Sequence, residues 1–504
     1  MGHPGARRRR AVDPLFEIKL ELKPRGSREA SRTLHHELRA AILDGRLAAG
    51  AKLPATRRSA AFFGVSRNTA AEVYERLVTE GHAVTRQGAG TYVAESAPRP
   101  AAARRIGALA GVQRLNEFWL RADVTAAMGF WQDSRESAPV RKGLVDFRPA
   151  MVDSRLFPLD VFRRVSAKQL RGLERRPASY KSPQGNQGNF HLRKAIIKHI
   201  AITRAVACQA EDILVTSGAQ QAFDLLARAL VTPRETTVAL EDPGYPPMRV
   251  AFAAAGAKLV PVGIDAEGLI IEQLPADVRV ICVTPSHQFP LGVTMSLRRR
   301  QALIEFARER GAIIIEDDYD GEFRYEGGPL PALRTAQAAD VVFYVGTFSK
   351  CMLSALRLGF IVAPGWAMDT LTAAKNCLDW HCPTPIQSAV AGFIAEGHLT
   401  RHVRKMRDLY KQRRQLLLEL VQDKVGRWLH PIPSLYGMHI AALASPGIDV
   451  EAVALALQQQ VKIHTLNRYF LGPQTQTGLV FGYGTVDLAE IRRGVSLLRK
   501  ALPE

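Results

Sequence analysis

The stretch Tyr344-Val345-Gly346-Thr347-Phe348-Ser349-Lys350 runs an apolar segment into one lysine set among small and hydroxyl residues. Only Cys351 and Met352 follow it, so no neighbouring charge marks a solvated face. Burial disfavours the charged form of an amine, which lowers its pKa and frees it as a nucleophile toward an aldehyde. Thr347, Ser349 and Arg357 can together hold a phosphate, the hydroxyls as donors and the guanidinium as a fork. The plainer alternative is a strand end whose lysine snorkels to solvent.

Three upstream segments weigh against that alternative. Ala312-Ile-Ile-Ile-Glu-Asp-Asp-Tyr-Asp320 reads as a strand buried on both faces that ends in acids, as in a parallel sheet with ligands at its carboxyl edge. A carboxylate there can keep a pyridine nitrogen protonated, and a tyrosine two residues on can reach a phenolic ring oxygen. Ile213-Leu-Val-Thr-Ser-Gly-Ala-Gln-Gln-Ala222 is a strand, a small-residue turn and a helix start whose free N–H groups suit a phosphate. Glu241-Asp-Pro-Gly-Tyr245 puts an aromatic ring on a tight loop, fit to stack on a flat cofactor. A reactive lysine, a phosphate cradle, a carboxylate and a stacking ring are what pyridoxal 5'-phosphate needs.

With the motifs TSGAQQ, EDPGY, EDDYD, YVGTFSK and the later LRLG, residues 144–502 resemble the fold-type I aminotransferases of class I and II. The resemblance implies that Lys350 carries the cofactor, Asp317 partners the pyridine nitrogen, Tyr319 meets the ring oxygen and Tyr245 stacks on the ring. It places Gly218, Ala219, Thr347, Ser349 and Arg357 on the phosphate. Tyr180, in Tyr-Lys-Ser-Pro-Gln-Gly185, resembles the tyrosine that reaches the neighbouring subunit's phosphate, which implies a homodimer with shared sites and allows domain exchange between protomers.

Residues 28–96 follow a different pattern. Leu34, Leu38 and Ile42 recur at helical spacing, Thr56 to Phe63 make a short second helix closed by Gly64, and Ser66 is placed to cap a third. Ala70, Val73, Tyr74 and Leu77 line one face of that third helix, leaving Arg67, Asn68 and Glu72 opposite. Val84-Thr-Arg-Gln-Gly-Ala-Gly-Thr-Tyr-Val93 reads as a wing, two short strands around a glycine turn. The start of such a last helix is what helix-turn-helix proteins present to base edges, where Arg suits guanine and Asn suits adenine. A small packing unit without a ligand is the alternative, and the basic wing opposes it. The segments LPATRRSAAFFGVSRNTAAEVYERL and TRQGAGTYV resemble the winged helix of GntR regulators, with Phe62 and Phe63 where that family has smaller or aliphatic side chains. By position, Arg57, Ser66, Arg67, Asn68, Gln87 and Gly88 fall where the family touches DNA.

Charge agrees with a split chain. Residues 1–110 hold 20 Lys and Arg against 10 Asp and Glu, a net +10, and the other 394 of the 504 residues carry the remaining +10 of +20. That concentration suits a phosphate-binding module. Arg7 to Arg10 form a basic arm, either touching DNA backbone or solubilising the chain. Residues 97–143 are read as the linker: Ala97-Pro-Arg-Pro-Ala-Ala-Ala103 has no periodicity, but Phe118, Trp119, Leu120, Phe130 and Trp131 suggest that part of it docks on a domain. The five cysteines, 208, 282, 351, 377 and 382, show no paired spacing, so neither a disulfide framework nor a metal site is expected. Without a spanning apolar run or an h-region after the basic start, a cytoplasmic protein with no membrane association is expected.

A GntR winged helix joined to a fold-type I domain is the layout of the MocR/GabR regulators. The expected fold class is therefore α/β: a winged helix-turn-helix, a linker, and a large mixed-sheet domain with a smaller C-terminal α+β domain. The resemblance implies a regulator that binds a double-stranded DNA operator and senses an amino compound as an external aldimine. The alternative is a working aminotransferase carrying a DNA-binding domain. Two arginines that hold a substrate carboxylate in aminotransferases are missing at their expected places, Pro247 and Gly478, with Arg249 two residues beyond the first. Phe289 replaces the asparagine that enzymes place near the ring oxygen, a change shared by the regulators, and the loop after Gly185 looks about three residues longer.

Overall fold

A computed structural model describes residues 28–43, 45–94, 116–121, 124, 143–174, 185–328 and 330–503. The chain divides into two compact units, Met1–Leu115 and Asn116–Glu504. The arginine arm 7–10, the stretch 97–103, Phe130, Trp131 and Tyr180 lie outside the described residues.

In the first unit, helices α1 (Arg28–Leu43), α2 (Thr56–Phe63) and α3 (Arg67–Thr79) precede strands β1 (Ala83–Arg86) and β2 (Gly90–Val93). Leu34, Leu38 and Ile42 of α1 pack on Ala70, Val73, Tyr74 and Leu77 of α3 in one buried cluster. Gly64 ends α2 in the left-handed region at φ 66°, and the Ser66 hydroxyl accepts from Thr69 N to begin α3. Such a cap contributes about 1 kcal/mol. The buried Tyr74 hydroxyl donates to Pro54 O at 3.0 Å and lies 2.7 Å from Ser59 Oγ, so burying it leaves no unmet polar group. Of the two aromatics on α2, Phe63 enters the core and Phe62 stays 46% exposed. Strands β1 and β2 pair antiparallel, Arg86 opposite Gly90, to form the wing.

The second unit is built on an eight-stranded sheet: β3 (Ile213–Thr216), β4 (Thr237–Asp242), β5 (Lys258–Asp265), β6 (Gly268–Leu269), β7 (Val278–Val283), β8 (Ile313–Asp318), β9 (Val342–Thr347) and β10 (Gly359–Val362). Its order is β3-β10-β9-β8-β7-β4-β5-β6. Strands β9, β8, β7, β4 and β5 run parallel in succession, whereas β10 is antiparallel to β9 and β3. The central strands read as unbroken apolar runs because both faces are covered, as parallel sheets require. Helix α4 (Ala219–Leu230) leaves β3 through Gly218, and α5 (Pro246–Ala254) starts just after Tyr245.

A smaller antiparallel sheet follows, β11 (Leu429–Pro431), β12 (His439–Ala444), β13 (His464–Thr465) and β14 (Gly478–Gly482), in the order β11-β12-β14-β13. Tyr410, Leu417 and Val421 of the long helix α6 (His398–Val425) share a buried cluster with Ile491, Val495 and Leu498 of α7 (Leu488–Ala501). Near the start of this unit, Phe118 lies in a short 3-10 turn, its ring edge 3.5 Å from where a Cβ on Gly256 would stand. Among the described residues no helix is long and apolar enough to cross a membrane.

Candidate functional site

The carboxyl ends of β3, β4, β8 and β9 meet at one edge of the large sheet, and each delivers one of the motifs. Parallel strands converge their loops at that edge, where ligands bind in open α/β sheets. Lys350 follows β9 and its amine donates to Ala150 O. Burial lowers that amine to about 8, with Asp320 and Asp317 pulling the other way. Asp317 lies on β8 opposite Val345 of β9 and is 2% exposed. Neither of its carboxylate oxygens has a hydrogen-bond partner. Burial, with Asp318 and Asp320 adding to it, pushes its pKa well above the usual range.

Two other elements shape the same space. Gly218 caps α4 at φ 82°, and a Cβ there would come within 2.8 Å of Arg357 Nη2. Arg357, itself at φ 47°, donates to Ser217 O at 3.3 Å and is exposed. Thr347 Oγ1 donates to Ser349 Oγ at 2.9 Å and accepts from Ser349 N at 3.1 Å. Ala219 is the first residue of α4, so Gly218, Ala219, Thr347, Ser349 and Arg357 belong to two adjoining turns.

Tyr245 is set by a tightly held loop. A Cβ on Gly244 would lie 2.1 Å from Glu241 O, so only glycine closes this turn. Glu241, driven up to about 7 by burial, accepts from Thr284 N and Oγ1. Gln288 donates to Pro243 O at 2.8 Å, tying the loop to the one after β7. The Tyr245 and Tyr319 rings are nearly parallel, 13° apart in plane with centroids at 6.5 Å. Tyr319 Oη donates to His287 O at 3.0 Å and lies 2.9 Å from His287 Nδ1.

These residues fit pyridoxal phosphate. A buried carboxylate with two unmatched oxygens calls for a donor such as a pyridinium N–H, since burying it bare costs several kcal/mol, roughly. A glycine-started helix beside a guanidinium and two hydroxyls suits a phosphate. Tyr180, the remaining expected phosphate contact, lies outside the described residues.

Neither position expected to hold a carboxylate-binding arginine does so, Pro247 and Gly478 standing there. Pro247 is buried in the first turn of α5, and the Arg249 guanidinium donates to Phe470 O at 3.0 Å beside Asp242. Gly478 is the first residue of β14 and lies opposite Leu443 on β12. A Cβ there would meet Ala442 O at 2.3 Å, so no side chain fits. The residue of β14 that packs with Phe289, Tyr319 and Tyr469 is Val480, on the same face as Gly478. Phe289 stands over this cluster, its ring centroid 5.3 Å from Tyr245 and 5.9 Å from Tyr319.

In the first unit, Ser66, Arg67 and Asn68 are exposed together at the start of α3, with Arg57 exposed on α2. Gln87 and Gly88 form the exposed tip of the wing, Gly88 at φ 75°. Two further cations flank that wing and escaped the motif reading: Arg86 lies 4.6 Å and Lys52 5.7 Å from the Tyr92 ring centre. Lys52 is brought there by a bridge to Tyr92, a pairing that no local pattern announces.

Comparison with known proteins agrees with both halves. Residues 30–93 match the family "Bacterial regulatory proteins, gntR family", and residues 157–477 match "Aminotransferase class I and II". The probable rhizopine catabolism regulatory protein MocR of Rhizobium meliloti is 33% identical over 472 residues, covering 93% of each chain. The chain belongs to the MocR family. Another relative is the HTH-type pyridoxine biosynthesis transcriptional regulator PdxR of Corynebacterium glutamicum, 29% identical over 96% of this chain and 100% of that one. Among solved structures, the α-aminoadipate aminotransferase LysN of Thermus thermophilus, complexed with N-(5'-phosphopyridoxyl)-L-leucine, superposes with a TM-score of 0.66. It is 26% identical and covers 77% of the MocR-family chain and 98% of its own. The mixed sheet and the winged helix of this MocR-family protein are therefore those of a fold-type I aminotransferase and a GntR DNA-binding domain.

Proposed function

We propose that this chain is a DNA-binding transcription regulator that holds pyridoxal 5'-phosphate on Lys350 and responds to an amino compound. One observation carries the reading. The buried amine of Lys350 and the unmatched carboxylate of Asp317 occur in a chain whose other unit exposes Ser66, Arg67 and Asn68 at a helix start. When bound, the cofactor supplies an aldehyde carbon that another primary amine can occupy in place of the lysine.

The chain's own residues then divide the work. Lys350 holds the cofactor and, neutral above about pH 8, can take up a proton once released. Asp317 holds a proton on the pyridine nitrogen, Tyr319 directs its hydroxyl to the ring oxygen, and Tyr245 covers the ring. Gly218, Ala219, Thr347, Ser349 and Arg357 bind the phosphate, and Tyr180 reaches the phosphate of the second protomer of a homodimer. Arg57, Ser66, Arg67, Asn68, Gln87 and Gly88 contact the DNA operator. We assign the DNA-binding domain to 28–96, the linker to 97–143 and the effector domain to 144–502, in a cytoplasmic protein.

An effector acts by binding two arrangements of the dimer with different free energy, which changes how the winged helices meet DNA. The second reading, an aminotransferase that also binds DNA, draws on the same Lys350. Buried Pro247, Val480 and the side-chain-free Gly478 favour the regulator, because neither expected position supplies a guanidinium for a substrate carboxylate. The deciding experiment is a footprint of the full chain on DNA upstream of its own gene, with cofactor and a panel of amines. An amine-dependent change in the footprint supports the regulator. An unchanging footprint with steady keto-acid formation supports the enzyme.

A further inference from the structure

Beside the lysine site, three metal-ligating side chains from distant parts of the chain converge. His287 lies on the loop after β7, Asp320 two residues past β8, and His439 at the start of β12. One ligand-type atom of each lies within 4.8 Å of the other two, and all three residues are buried, at 2%, 1% and 0% exposure. From this we propose that His287, Asp320 and His439 form a binding site for a divalent transition-metal ion of the zinc class.

The hydrogen bonds around the two imidazoles argue for it. His439 Nε2 lies 3.0 Å from Pro290 O, which can only accept, so Nε2 carries the proton and Nδ1 is left with a bare lone pair. His287 Nδ1 and Asp320 Oδ2 face each other at 3.0 Å, close to the separation of two ligand atoms on one tetrahedral zinc ion. His287 Nε2, His439 Nδ1 and Asp320 Oδ1 all lack a hydrogen-bond partner. His439 Nδ1 and Asp320 Oδ1 are buried acceptors with no donor, which is costly, and a cation held between His439, Asp320 and the Nδ1 edge of His287 satisfies both. The ring proton of a metal-bound histidine is ordinarily held by a carboxylate or a backbone carbonyl, as Pro290 O holds that of His439.

Neighbouring backbone locks the arrangement. A Cβ on Gly437 would lie 1.9 Å from His287 Cε1 and 2.7 Å from Asp320 Oδ2, so only glycine leaves room for the imidazole there. The Tyr319 hydroxyl touches both the carbonyl and Nδ1 of His287, which connects the ion's ligand to the tyrosine of the cofactor site. The proposed ion therefore anchors Tyr319 from behind. The proposal rests on these contacts and stands apart from the regulator reading.

Full-length protein saturated with pyridoxal phosphate is stripped with a chelator, dialysed against zinc, washed and analysed for metal. Wild type is expected to retain about one ion per chain. Cobalt in place of zinc should give the visible absorption of a low-symmetry nitrogen and oxygen site. Asp320→Asn and His439→Gln should each weaken retention by more than about 100-fold. Lys350→Ala should retain the ion, showing that the site does not depend on the lysine. Wild type that holds no metal beyond weak surface-histidine binding overturns the proposal, whatever the variants do. So does equal retention by Asp320→Asn and His439→Gln, provided circular dichroism shows them folded.

Discussion

A Cβ added to Gly218 would stand 2.8 Å from the Arg357 guanidinium. The Arg357 side chain thus folds over the cap of α4, where glycine has no Cβ to meet it. Gly218→Ala must both move Arg357 and adopt φ 82° with ψ 175°, an almost glycine-only conformation that costs about 1–3 kcal/mol. The variant should fold and lose pyridoxal phosphate affinity by about tenfold or more, read by titrating the cofactor's absorbance. Unchanged affinity would remove these two turns from the phosphate site.

Lys350 predicts a pH dependence with a definite sign. Its amine titrates at about 8 in the fold, against about 10.4 for a free lysine. Below pH 8 both folded and unfolded chains are protonated there, and the cost of burying the charge is fully felt. Between about 8 and 10 only the unfolded chain keeps the proton, so cofactor-free protein gains stability as pH rises. Urea melts across this range should show the gain in wild type and lose it in Lys350→Met. Cofactor capture by wild type should likewise quicken through pH 8, and borohydride should trap the cofactor on Lys350 but not in Lys350→Ala.

On the DNA side, Arg67→Ala should erase sequence preference at one base position, at a cost of about 1–3 kcal/mol. Lys52→Ala and Arg86→Ala, beside the wing, should weaken all DNA alike and flatten the salt dependence. Gel shifts over a salt series separate the two effects. An Arg67→Ala protein that still discriminates its operator would show that α3 is not the reader.

For the effector, the protein should turn over alanine, glutamate, aspartate and GABA poorly. An arginine–carboxylate pair contributes roughly 1.5–3 kcal/mol, and neither expected position supplies one. Placing arginine at Gly478 should not restore activity, because Ala442 O lies 2.3 Å from the required Cβ and the strand must yield first. Keto-acid assays on wild type decide the matter, and turnover at ordinary aminotransferase rates would promote the enzyme reading.

Helical spacing alone was enough to name Ala70, Val73, Tyr74 and Leu77 as the buried face of α3, and Ser66 as its cap. Such features depend on neighbours three or four residues away, which sequence displays directly. Lys350, Asp317, Tyr245 and Gly218 were also legible, since each terminates or follows an apolar strand and parallel strands bring their ends together. Sequence shows that Gly478 is no arginine, but not whether a side chain would fit there. Gly478 stands opposite Leu443 on β12, and only the close approach of the Ala442 carbonyl reveals that it has no room for a side chain.

Sequence by itself determined the two-part design, the helices and wing of the first unit, and the strand-end motifs around Lys350. These follow from local periodicity, turn chemistry and charge. Tertiary structure decided the rest. It joined His287, Asp320 and His439 from positions over 150 residues apart, brought Lys52 to Tyr92, aimed Arg249 at Phe470, and denied Gly478 a side chain. Contacts between distant segments depend on strand order and register, and these are set by the packing of the whole core rather than by any residue's neighbours in the chain.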